Sequence, residues 1–179
     1  MEGDVRKTLV TAQDIQAKVK EMGARISADY KGKNLLLVSV LKGAIVFLAD
    51  LMREITIHVE VDFMAVSSYG RGTQTSGVVK IIKDLDAPLE GYDVLIVEDI
   101  LDSGMTLSYL VNVLKQRNPN SIKIATLLDK PSRRMLEVRV DYCGFVVPAE
   151  FVVGYGLDYC EKYRNLPYIG VLKAEIYKK

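Results

Sequence analysis

The chain has 179 residues, a length that fits one domain with a sizeable core and is too short for two ordinary ones. With 49% hydrophobic and 26% charged residues and a mean hydropathy of +0.12, it falls in the globular class and outside the disordered one. Lys and Arg number 24 against 23 Asp and Glu, a formal net charge of +1, so no global field draws the chain to nucleic acid or an acidic membrane; any anion it binds must be held locally.

The N-terminal stretch "MEGDVRKTLV" lacks the apolar core of a signal peptide. Thr11 followed by Asp14 resembles a capping box, and Ile15, Val19, Met22 and Ile26 recur on one helical face, so the first predicted element is a helix of about five turns. "NLLLVSVL" reads as a buried strand, "KG" as a turn, and Ile45, Leu48 and Met52 as the apolar stripe of a second helix. The alternation from Val59 to Phe63 and the composition of "VVKIIK" predict two more strands around "SSYGRGTQTSG", a long polar loop whose Gly70, Gly72 and Gly77 suit a lid. "DVLIVED" is a strand, Leu107 to Gln116 a helix, and "SIKIATLLD" a further strand. The tail holds the short β-like pieces "DYCGFVVP", "EFVVGYG" and "YIGVL".

Strands alternating with helices argue a mostly parallel, twisted α/β sheet with helices on both faces, and the β-like tail adds a smaller cap. The apolar runs "LLLVSVL" and "AIVFLADLM" are far below the roughly 18 residues of a bilayer span, and a cytoplasmic location without membrane contact is expected. Cys143 and Cys160 form no CxxC pattern and no metal cluster, and are expected as packed thiols near a surface loop.

The chemistry concentrates in "VLIVEDILDSGMT", residues 94 to 106. In an open α/β sheet ligands bind at the carboxyl ends of strands, where loops converge and helix N-termini point outward. Ser103, Gly104, Met105 and Thr106 lie between the strand and the next helix, so their backbone N–H groups and hydroxyls can cup a phosphate. No GxxxxGK[ST] is present, which argues against a nucleoside triphosphatase. Glu98 and Asp99 would repel that phosphate unless a cation lies between. Mg²⁺, held by one or two carboxylates plus substrate and water oxygens, answers this economically. Both acids are expected to face the surface.

The run E-D-x-x-D-S-G-x-T closely resembles the phosphoribosyl pyrophosphate (PRPP) motif of type I phosphoribosyltransferases. "VLKGAIVFLADL", "SSYG", "LLDKPSRR" and "FVVGYGLDYCEKYRNLPYIG" resemble, in order, the other segments of the hypoxanthine-guanine phosphoribosyltransferase family, from about Leu35 to Val171. The resemblance implies the type I phosphoribosyltransferase fold: one domain over 1–179, with a core at about 8–150 and a small β-rich hood from about 151–179, to which an N-terminal contribution is left open. It also implies Mg²⁺-dependent transfer of phosphoribosyl from PRPP to a 6-oxopurine base, in a homodimer or homotetramer.

Residue by residue, the resemblance assigns Glu98 and Asp99 to the ribose hydroxyls, directly or through metal, and Asp102 to purine N7 as general base. Ser103, Gly104, Met105 and Thr106 form the 5-phosphate cup, while the backbone of Leu41, Lys42 and Gly43 binds pyrophosphate, with a Leu–Lys peptide that is cis in some relatives. Lys130 donates to the purine 6-oxygen, Phe151 stacks on the base and Val152 offers backbone contacts. Asp158 is a second Mg²⁺ ligand, Arg164 binds pyrophosphate, and Ser68 and Tyr69 begin the closing loop. Arg133 and Arg134 stay outside the set, and the lone His58 is read as structural. The rival from another class is a regulator that keeps the PRPP fold and binds nucleic acid through an added DNA-binding domain or a basic RNA-binding face; no room for the former is expected in 179 residues, and the near-neutral charge argues against the latter.

Overall fold

Two sheets organise the computed structural model, which describes residues 1–68 and 79–177. The larger has six strands in the order β4-β3-β2-β5-β6-β7, with β2 at Leu35–Leu41, β3 at Val59–Ser68, β4 at Val79–Lys83, β5 at Asp93–Leu101, β6 at Ser121–Asp129 and β7 at Tyr142–Val146. All neighbours run parallel except β3 and β4. The mostly parallel α/β sheet expected from the sequence is present.

Alternation along the strands divides the core in two. Leu35, Leu37, Leu95 and Val97 face α1 (Ala12–Asp29) and α2 (Ile45–Glu54), whereas Leu36, Val38, Val94 and Ile96 face α3 (Met105–Lys115) through Leu107, Leu110 and Leu114. A strand covered on both faces must be apolar on both, which is why "LLLVSV" and "DVLIV" are nearly continuous hydrophobic runs. The α1 reading holds: the Asp14 amide donates to Thr11 Oγ1 over 3.1 Å, and Ile15, Val19, Met22 and Ile26 are buried.

Several expectations are corrected. In α2 the buried residues are Phe47, Leu48 and Leu51, while Ile45 and Met52 are exposed. "IVFLADLM" is apolar on nearly every side, so its periodicity announces a helix without fixing which side meets α1. The chain does not open with α1: a 3₁₀ turn, Glu2–Asp4, and the strand β1, Val5–Val10, precede it. This strand pairs antiparallel with β9 (Ile169–Leu172), and β9 pairs with β8 (Val152–Val153) to form the small sheet. "DYCGFVVP" does not join that cap; as β7 it lies parallel to β6 at the edge of the large sheet. The chain between β6 and β7 carries only a 3₁₀ turn, Pro131–Arg133, in place of a crossover helix, so no helical signal separates this strand from the tail. Cys143 and Cys160 are exposed rather than packed. A final short helix, α4, spans Ala174–Tyr177. Ser67 and Ser68 end β3, and the remainder of the expected lid, including Tyr69, lies outside the described residues.

Close packing of α1 on α2 yields a test. An added Cβ at Gly23, midway along α1, would sit 2.8 Å from the Glu54 backbone. Gly23→Ala gains about 1 kcal/mol of helix propensity but overpacks this crossing at about 1–3 kcal/mol. The expected net loss of about 1 kcal/mol lowers the melting temperature by about 2–4 °C in thermal denaturation. A variant that melts higher than wild type contradicts the packing account.

Candidate active site

The acidic pair does not stand beyond the end of its strand. β5 continues through Ile100 and Leu101, which pair with Leu128 and Asp129 of β6. Glu98 is therefore buried, at 8% exposure, and Asp99 is half-buried, which corrects the expectation that both face the surface. Burial, then the Asp99 charge, pushes Glu98 well above the usual carboxylate range. Burial also raises Asp99 to about 6; the Ile100 amide, donating to its Oδ1 over 2.7 Å, and the Arg164 charge oppose the rise, while the Asp158 charge adds to it. Neither acid forms an ion pair among the described residues.

Because β2 lies beside β5, the turn from β2 into α2 reaches this pair. The Leu41–Lys42 peptide is cis, and Gly43 lies so close to Asp99 that a Cβ there would overlap its carboxylate. On the other side the chain leaves β5 through Asp102 and Ser103 to Gly104, the N-cap of α3 at φ 83°, a left-handed conformation that suits glycine. α3 starts at Met105, not Leu107, so Met105 and Thr106 lie in its first turn, where backbone N–H groups lack partners within the helix. The Ser103 carbonyl accepts from the Met135 and Leu136 amides at 2.9 and 3.1 Å. Leu41, Gly43, Glu98, Asp99, Asp102, Ser103, Gly104 and Thr106 all line one cleft of about 250 Å³.

Asp102 also lines a second cleft of about 300 Å³, with Lys130, Phe151, Val152 and Tyr177. Lys130 follows β6, its amide donating to the Leu101 carbonyl over 2.9 Å. Its side chain is buried, and that burial lowers its pKa; Asp102 resists the fall and Arg133 adds to it. Sequence reasoning left out two arginines that the structure places here. Arg133 Nε lies 2.9 Å from Asp102 Oδ1, and Arg134 pairs with Asp129 and donates to the Asp102 carbonyl over 3.2 Å. The signal for both was their place just past a parallel strand's carboxyl end. Tyr177, also missed, stacks on Phe151 with centroids 4.7 Å apart.

At the hood side, Arg164 pairs with Asp158 at 2.9 Å and donates to the Gly156 carbonyl over 2.7 Å, and Lys42 reaches Glu161 at 2.9 Å. The structure thus brings the predicted residues to adjoining clefts and their hood-side rim, except Met105 in the first turn of α3, Ser68 at the end of β3, and Tyr69, which lies outside the described residues. Among the described residues no three His, Cys, Asp or Glu side chains are grouped to hold a metal by themselves. A buried carboxylate beside a half-buried one, neither in an ion pair among the described residues, does fit Mg²⁺ completed by substrate and water oxygens.

The raised Asp99 pKa has a measurable sign. Folding favours its protonated form, so its contribution to stability is fully present below the ordinary value of 3.8 and is lost as pH rises to about 6. Without metal, Asp99→Asn is expected to melt above wild type at pH 7.5, and most of that gain is expected to disappear by pH 4. Melting curves at both pH values check this; an equal gain at both contradicts it.

A family model described as phosphoribosyl transferase domain matches residues 6–160. The hypoxanthine-guanine phosphoribosyltransferase of Bacillus subtilis (strain 168) is 57% identical over 178 residues, covering 99% of each chain. The bifunctional protein TilS/HprT of Listeria monocytogenes serotype 4b (strain F2365) is likewise 57% identical over all 179 residues, which span 28% of its length. A crystal structure of a hypoxanthine phosphoribosyltransferase from Staphylococcus aureus superposes with a TM-score of 0.97 at 51% identity, covering 100% of this chain and 97% of that one. The chain belongs to the phosphoribosyltransferase family, within its hypoxanthine-guanine branch.

Proposed function

We propose that the chain transfers the phosphoribosyl group of PRPP to hypoxanthine or guanine, forming IMP or GMP and releasing pyrophosphate. One observation carries the reading: Asp102 is shared by two adjoining clefts, one with an acidic pair and a helix N-terminus, the other with a buried lysine and an aromatic ring. The first suits a sugar phosphate and the second a flat base with a carbonyl, so Asp102 sits where the new glycosidic bond forms.

Each residue then has a task. The backbone N–H groups of Ser103, Gly104, Met105 and Thr106 hold the 5-phosphate, and the Leu41–Gly43 turn with Arg164 holds the pyrophosphate. Glu98 and Asp99 face the ribose, where their charge favours an oxocarbenium-like sugar. Glu98 and Asp99, with Asp158 on the pyrophosphate side, would hold Mg²⁺ together with substrate oxygens, and the ion would supply charge neutralisation and orientation of PRPP. Asp102 accepts the proton released at N7 as the base is alkylated, and Arg133 fixes its carboxylate. Lys130 donates to the 6-oxygen, Phe151 stacks on the ring and Val152 adds backbone contacts.

We read residues 1–179 as one domain, acting as a homodimer or homotetramer in the cytoplasm. No helix among the described residues is long and apolar enough to cross a membrane. Nothing observed favours the regulator reading, and relatives matching the whole chain are named as the transferase.

The test is base selectivity. A lysine ammonium has three donors and no acceptor, so it satisfies a 6-oxo group but opposes the amino group of adenine in a desolvated pocket. Sites built around such a hydrogen bond reject the mismatched partner by about 10⁴-fold. With PRPP and Mg²⁺, nucleotide formation is expected from hypoxanthine and guanine, with kcat/KM for adenine lower by about that factor. Adenine used within tenfold of hypoxanthine contradicts the reading.

A further inference from the structure

We propose that Tyr177 is a positioning residue for the base, bracing Phe151 so that the ring's other face is presented flat to the purine; the inference rests on the function proposed above. Phe151 is 37% exposed, so burial in the core does not set its orientation and its neighbours must. One of its faces is covered: the Tyr177 ring lies 4.7 Å away, centroid to centroid, at an interplanar angle of 19°. Tyr159 meets Phe151 edge-on at 90°, with centroids 5.6 Å apart. The cleft that Phe151 and Tyr177 share with Lys130 and Asp102 keeps about 300 Å³ with Tyr177 in place, so the tyrosine acts as a wall and not as a plug.

Tyr177 is itself fastened to the ring it braces. β9 leads into α4, and the amide of Leu172, the last residue of β9, donates to the Phe151 carbonyl over 2.9 Å. Lys173, the next residue, donates to the Asp4 carbonyl over 2.9 Å, and Tyr177 packs against the small cluster that includes Val153 and Leu172. Two backbone hydrogen bonds therefore tie the start of α4 to Phe151 and to the N-terminal segment. A prepositioned ring spares the base the cost of ordering it on binding.

Steady-state kinetics tests this. Aromatic pairs contribute enough beyond area burial that losing one is worth about three- to tenfold. Tyr177→Ala is expected to raise KM for hypoxanthine by that factor, with KM for PRPP and kcat changed less than twofold. Tyr177→Phe keeps the stack and is expected to match wild type, whereas Tyr177→Leu keeps apolar bulk without a flat face and is expected to behave like Ala. A fall in KM for hypoxanthine in Tyr177→Ala means the tyrosine is a plug and overturns the proposal, and so does a Leu variant that matches wild type. Phe151→Ala separates the two levels. If it raises KM for hypoxanthine while Tyr177→Ala does not, the brace alone fails; if neither variant changes it, the base-pocket assignment fails and the brace with it.

Discussion

Two adjacent carboxylates, Glu98 and Asp99, lie within the last residues of a strand that is buried on both sides, without an ion pair among the described residues. Burial raises both pKa values and the Asp99 charge raises Glu98 further, while the Asp99 and Ile100 backbone amides and the Arg164 charge oppose the rise. Such an arrangement is costly for a resting fold, and stored cost of this kind clusters at functional sites. The surroundings fit that constraint. β2 and β6 flank β5 so closely in register that the Gly43 backbone meets Asp99 from one side, while Lys130 follows the end of β6 on the other. On the function proposed here, the unbalanced acids are what draws a divalent cation and its sugar phosphate to this strand end.

The two clefts differ in what limits them. On the function proposed here, phosphate is held by backbone N–H groups at the start of α3, whose positions follow from the fold and depend on Gly104 at φ 83°. The base cleft depends on side chains brought from far apart: Lys130 from the end of β6, Phe151 from the entry to the small sheet, and Tyr177 from α4. Arg133 ties the two together by holding the Asp102 carboxylate at their junction. The chain Lys42–Glu161–Arg164–Asp158 is partly or largely exposed, and such pairs add little to stability, so its place near the acidic pair matters more than its energy.

Much of this was legible in the sequence where the cause is local. The α1 face, the doubly buried β2 and β5, and the cluster from Glu98 to Thr106 all announce themselves through spacing and residue type. What stayed hidden depends on distant partners. β1 takes its place by pairing with β9, more than 150 residues away, and no local pattern in "VRKTLV" reveals it. The α2 face could not be chosen because apolar residues occur nearly all round the helix. The acids look like a strand terminus because charged residues usually end buried strands; only pairing with β6 carries β5 past them to Leu101. Tyr177 carries no motif of its own and Arg133 only its place in "LLDKPSRR", and their relevance appears when Phe151 and Asp102 are beside them.

The central claim, that the buried acidic pair recruits a cation together with the sugar phosphate, is tested most directly by calorimetric titration of PRPP across a range of Mg²⁺ concentrations. PRPP affinity is expected to rise with Mg²⁺ in the wild-type protein and to lose most of that dependence in the Glu98→Gln/Asp99→Asn double variant. The same Mg²⁺ dependence in both proteins contradicts the account.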